Sequence, residues 1–106
     1  MPAFLFSYRA PAEYQVGDPD MSERWRAWFQ SLGSSVTTLG NPVAEAAEVG
    51  HCGAGTRLGG YSVITADDLE AALAMAKSCP AVEAGAGVEV GVIAEVSSEV
   101  RQAASA

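Results

Sequence analysis

Gly59-Gly60-Tyr61-Ser62-Val63-Ile64-Thr65-Ala66 runs directly into Asp67-Asp68-Leu69-Glu70. The first part is aromatic and β-branched behind a glycine pair, which predicts a strand over 61–66. The second part predicts a helix start, with Asp67 as N-cap and Glu70 three residues on completing a capping box. A strand feeding a helix with almost no linker is one half of an α+β unit. Forward from it, Leu69, Ala72, Leu73 and Ala76 form a narrow apolar seam, Lys77 sits at the helix's negative end, and Cys79-Pro80 closes it. Residues 81–87 are small and read as a loop. Val88 to Val96 reads as the last strand, with Val88, Val90, Val92 and Ala94 on one face and Glu89 on the other. The remainder, 97–106, is small and polar and reads as a frayed tail, leaving one domain over 1–96.

Backward from the same stretch, Gly50 to Arg57 is a loop by composition, with Gly40-Asn41-Pro42 a turn after a second strand over 36–39. Val43 to Val49 fits no clean period and reads either as that strand continued past a bend or as an edge ribbon. Asp18-Pro19-Asp20 predicts a helix start, with an Asp N-cap, proline at the first position and acid near the positive dipole end. Met21, Trp25, Trp28, Phe29 and Leu32 then recur at helical spacing as one wide apolar stripe that must face a sheet, ending at Gly33. Both tryptophans read as core. Residues 10–18 form a loop, and Pro2 to Tyr8 form the first strand, Phe4, Phe6 and Tyr8 opposing Ala3, Leu5 and Ser7.

The order is strand, helix, strand, strand, helix, strand: a ferredoxin-like βαββαβ sandwich, α+β in class, with both helices on one face of an antiparallel four-stranded sheet. The other face of such a sheet should be polar if it meets water. Here both faces of two strands carry apolar groups, Phe4, Phe6 and Tyr8 opposing Leu5 in the first and Tyr61 and Val63 opposing Ile64 and Ala66 in the third. A second layer would explain them, and in 106 residues it has to come from another copy, so a homodimer is expected.

Six basic against thirteen acidic side chains leave a net charge of −7, which disfavours nucleic acid and anionic membrane surfaces as partners. No apolar run is long enough to span a bilayer. Phe4-Leu5-Phe6 lacks the basic start of an export signal, so a cytoplasmic protein with reduced Cys52 and Cys79 is expected. One histidine and two distant cysteines offer no metal-ligand spacing, and the glycine-rich loop lacks the GxxxxGK[ST] phosphate signature, so neither metal nor cofactor is expected.

In order along the chain, Leu58-Gly59-Gly60-Tyr61-Ser62-Val63-Ile64, Ala66-Asp67-Asp68-Leu69-Glu70-Ala71-Ala72, Ala76-Lys77-Ser78-Cys79-Pro80 and Gly87-Val88-Glu89-Val90 resemble the second half of the YCII-related (DGPF-type) proteins. The resemblance implies a ferredoxin-like subunit paired as a dimeric α/β barrel. The Asp-Gly-Pro-Phe tetrad that names part of that family is absent, its place at ungapped spacing being held by Glu48-Val49-Gly50-His51. A His/Asp pair is implied as an active site in some relatives, and it does not carry over residue by residue onto this loop.

The candidates for chemistry follow from side-chain type. Histidine is the side-chain type suited to proton exchange at physiological pH, and His51 beside Glu48 is a candidate general base, or else a plain loop histidine. Arg57 and Arg9 could each clasp an anionic ligand or sit in a surface ion pair. Tyr8 and Tyr61 offer hydroxyls to a pocket or serve as core or interface residues. Glu89, an acid in an apolar strand, is a proton-transfer candidate or a rim carboxylate. Two functions remain open: a small dimeric binding or accessory protein with a cleft for a small organic molecule, aromatic ones included, and a cofactor-free enzyme using His51 with a carboxylate in lyase-, isomerase- or hydrolase-type proton transfer.

Overall fold

The computed structural model describes residues 1–13, 18–53 and 55–105. Residues 14–17 of the loop expected over 10–18, Ala54 of the glycine-rich loop and Ala106 of the tail lie outside them. The elements run β1 (Ala3–Pro11), α1 (Pro19–Leu32), a 3-10 turn (Gly33–Ser35), β2 (Val36–Thr38), β3 (Thr56–Thr65), α2 (Leu69–Ala76), α3 (Pro80–Glu83), β4 (Gly87–Val92) and α4 (Ser98–Ser105). The sheet order is β2-β3-β1-β4 and every pairing is antiparallel, the ferredoxin-like arrangement.

Alternation along β1 decides the layers. Phe4, Phe6, Tyr8 and Ala10 are buried against the helices, as are Ser62 and Ile64 from β3, while Leu5 and Tyr61 lie exposed on the opposite face. Helix α1 begins as expected, with Asp18 accepting from the Asp20 amide and Pro19 at the first position. Its stripe delivers Trp28 into the core, and the Trp28 indole donates to Met75 O of α2 at 3.2 Å, tying the two helices together.

Several expectations are corrected. Asp68, not Asp67, caps α2, accepting from the Ala71 amide at 2.8 Å, so the residue three past the cap is an alanine and no capping box forms with Glu70. Only Ala72 and Ala76 of the α2 seam are buried, whereas Leu69 and Leu73 turn outward. The narrow alanine face lets α2 approach the sheet closely, and a leucine pair would hold it off. Strand β3 starts at Thr56, five residues before the expected position, because Gly59 takes up a bulge between the Tyr8–Gly60 and Arg9–Leu58 pairs and the ladder continues beyond it. Residues 43–49 form neither strand nor ribbon; the segment is held by the Pro42–Gly60 bridge and by the Val43 amide donating to Gly59 O. Within the expected 81–87 loop, Pro80–Glu83 make a helical turn. Strand β4 stops at Val92, four residues short of the expected end. The tail is helical, its first turn tied by Ser97 Oγ accepting from the Val100 amide, and every described residue of α4 is exposed.

Candidate functional site

A pocket lies between α1, the bulged end of the β1–β3 ladder and the 39–42 turn. It holds about 310 Å³, at the lower end of what small-ligand sites enclose. Each wall has a local cause. Trp25 and Phe29 project from α1 one turn apart, their rings stacked at 5.8 Å between centroids. Trp25 also meets Tyr8 edge-on at 4.6 Å. The opposite wall is backbone. A Cβ on Gly60 would stand 3.1 Å from Asn41 O, and one on Gly40 would lie 1.8 Å from Tyr61 O, so the glycines let the turn settle against β3.

Polar groups are few. Ser62, fully buried, donates its hydroxyl to Leu39 O and fastens the turn to the sheet. The Tyr8 hydroxyl is closed to solvent and meets no acceptor in hydrogen-bonding geometry; burial drives its pKa up, and the nearby Ser62 hydroxyl offsets only part of that rise. The phenol is therefore neutral across the physiological range. Arg9 is half-buried and held from the side by Thr56, its Nε donating to Thr56 Oγ1 at 3.1 Å and its Nη2 to Thr56 O at 2.9 Å. No imidazole and no carboxylate lines the pocket among the described residues.

Of the residues singled out in the sequence, Tyr8, Arg9 and Tyr61 line this pocket together. His51 is exposed in the loop before β3 and is not among the lining residues. Arg57 stands on β3, donating to Val43 O and Leu58 O, and serves to hold the irregular 43–49 segment against the strand. Glu89 lies exposed on the open face of β4, paired by register with Ser7. Glu48 is likewise exposed. His51, Arg57 and a carboxylate are thus not gathered at one cavity. Trp25, read from the sequence as core, is half-buried and forms pocket wall, while Trp28 is core. The residues the sequence reading missed are Phe29, Met21 and the backbone of 39–42. The Gly40-Asn41-Pro42 and Gly59-Gly60 pairs were the available signal, since paired glycines facing a turn mark close backbone approach.

Both cysteines are free thiols, Cys52 exposed and Cys79 buried. Among the described residues, no three of His, Cys, Asp and Glu come together as a metal-binding group, and no helix is long and apolar enough to cross a membrane.

A four-stranded ferredoxin-like sheet with a small aromatic-walled pocket under its first helix defines a class of small α+β domains. The family model of the YCII-related domain matches residues 1–96, and the chain belongs to that family. No curated protein matches it in sequence. Among solved structures, it is similar to 5-chloro-2-hydroxyhydroquinone dehydrochlorinase from Burkholderia phenoliruptrix in complex with 2,5-dihydroxybenzoquinone. The TM-score is 0.61 at 15% identity, with 92% of this chain and 97% of that one covered. At that identity the likeness speaks to the fold.

Proposed function

We infer that this protein is a small homodimeric binding module whose pocket under α1 takes a one- or two-ring organic molecule. The carrying observation is the pocket itself: about 310 Å³ walled by Tyr8, Trp25 and Phe29, shaped by glycines that bring the 39–42 turn onto β3. Aromatic walls a few ångströms from one another favour a flat, polarizable guest over an aliphatic one of equal size. That the enzyme of similar fold is recorded with a quinone accords with a ring-shaped guest. Homodimer formation is supported by Leu5 and Tyr61, about two-fifths exposed on the open sheet face. By register that face also carries Arg9, so a partner subunit would border the pocket's rim.

The second reading, a cofactor-free enzyme, has the dehydrochlorinase likeness in its favour. It would need a proton-transfer group other than His51, which stands outside the pocket, or one brought by the partner.

The binding reading is tested by titrating 15N-labelled protein with phenol and, separately, cyclohexanol. Phenol should shift the Trp25 indole and the Gly59 and Gly60 amides and bind more tightly. Ser22→Trp, which plants a large side chain at an exposed lining position, should abolish those shifts. Shifts scattered over the surface, or unchanged by Ser22→Trp, would remove the pocket as a ligand site.

A further inference from the structure

The four strands carry three charged side chains, Arg9 on β1, Arg57 on β3 and Glu89 on β4. Arg57 pairs by register with the buried Ala10, so its side chain leaves β3 on the helix side. Arg9 follows Leu5 and Ser7 on the open side of β1, and Glu89 lies opposite Ser7, so the strands give the open face one cation and one anion. The two are diagonal neighbours across the β1–β4 ladder, their Cα atoms about 7–8 Å apart and within reach of a long side chain. Yet the ion pairs among the described residues are Arg24–Glu83 and Arg26–Glu23, and neither Arg9 nor Glu89 enters one. Thr56 is the cause. Its Oγ1 and its carbonyl accept from Arg9 Nε and Nη2 at 3.1 and 2.9 Å, drawing the guanidinium toward β3, on the side of β1 away from β4. Three of the five N–H donors of that guanidinium are left without a protein acceptor.

The ground around Glu89 is bare. Gly87 and Gly91 flank it on the same face of β4. Neither has a positive φ, and a Cβ at either would meet nothing within 4 Å. Neither the backbone nor this chain's own packing therefore calls for glycine there. The β1–β4 ladder also runs from Phe4–Val92 to Arg9–Gly87 without a bulge. Strand glycines weaken a sheet, and with no bend to make they mark the close approach of another backbone.

We propose that in the homodimer the Arg9 guanidinium of each subunit pairs with the partner's Glu89, over the bare strip that Gly87 and Gly91 leave on β4. This rests on homodimer formation and adds the residues that fix how the two sheets meet. An isologous contact joins a patch to itself, so the two-fold operation that seats Arg9 on the partner's Glu89 also seats Glu89 on the partner's Arg9. Either charge covered without an opposite would oppose association. The opposite comes from the second copy, because Thr56 holds Arg9 back from the Glu89 of its own chain. Leu5 and Tyr61 supply apolar area to the contact, and the two ion pairs supply its register.

Charge reversal tests the pairing on the whole chain, by light scattering over a dilution series. Arg9→Glu leaves acids at both positions and Glu89→Arg leaves arginines at both, so each variant alone should raise the dimer dissociation constant at least about tenfold. An equimolar mixture of the two should recover the mass of a dimer, because acid then faces arginine at both contacts. Neither an unfolded variant nor a role of these residues within one chain would give that recovery. Glu89→Gln, a milder change, should weaken the dimer severalfold and flatten its salt dependence. Variants that pair as tightly as the unmodified protein, or that dissociate and fail to recombine when mixed, would overturn the ion pair and leave the homodimer standing. A single-chain mass for the unmodified protein at micromolar concentration would remove the homodimer, and this inference with it.

Discussion

Gly40 shows how much of the site hangs on single backbone positions. Its φ is +74°, and a Cβ there would lie 1.8 Å from the Tyr61 carbonyl oxygen. Gly50 has a similar φ of +79° with nothing within 4 Å of its Cβ position. Gly50→Ala should therefore cost about 1 kcal/mol, the strain of a left-handed alanine alone. Gly40→Ala should cost more than about 3 kcal/mol, because strand and turn must also separate. Urea midpoints of the two variants check the difference; equal losses would mean that the turn does not rest on β3. A second residue-scale prediction concerns Cys79, whose thiol is pushed up to about 11, chiefly by burial. The folded state then holds its proton where an unfolded cysteine, near its ordinary 8.5, has lost it. That contribution is complete below about pH 8 and is lost as the pH rises from about 8.5 to 11, by roughly 3 kcal/mol. Tyr8, shifted in the same direction by burial, adds to the fall above pH 10. Urea midpoints across this range should drop for the unmodified protein and drop less for Cys79→Ala; parallel curves would mean that the thiol is not buried in solution.

At the scale of elements, what the sequence made legible follows from how local each cause is. Helix α1 could be read because its cap, its proline and its 3.6-residue stripe are written in consecutive residues. The alternation of β1 was equally plain, and with it the two faces of the sheet. The bulge at Gly59 was not legible, since a register shift is set by the partner strand, and it is this shift that brings Thr56 beside Arg9. Nor was the outward turn of Leu69 and Leu73, which depends on how near α2 must come to the sheet. At the site, Tyr8, Arg9 and Tyr61 were named from their chemistry and their place at strand ends. His51 was named from its chemistry alone, and the fold leaves it outside the cavity. The cap of α2 offers a direct check on the finer reading. Asp68→Ala removes the acceptor for the Ala71 amide and should cost about 1 kcal/mol, while Asp67→Ala should stay within about 0.5 kcal/mol. Thermal unfolding of the two variants distinguishes them, and the reverse order would restore the sequence-based capping box.

For the whole molecule, the balance is between a sheet face covered by helices and an opposite face on which Leu5 and Tyr61 stand exposed. Leu5 stands at the middle of the open face on a central strand, flanked across the β1–β3 ladder by Val63 and, further along, by Tyr61. Water on that face would hydrate a contiguous apolar patch, which monomers of this size seldom expose. The proposed isologous pairing would bury the patch on both copies, and at about 25 cal/mol per Å² the gain would grow with both. Light scattering should therefore give about twice the chain mass at micromolar concentration. Leu5→Lys, which places a charge at the centre of the patch, should bring the mass to that of one chain with the helical signal retained, because Leu5 is exposed and is not a member of the buried core. Leu69→Lys is the matched control: that leucine is as exposed as Leu5, 43% against 42%, but stands on the outer side of α2. If Leu69→Lys is the change that dissociates the protein, the helices and not the sheet make the contact, and the rim of the pocket at Arg9 belongs to a single subunit.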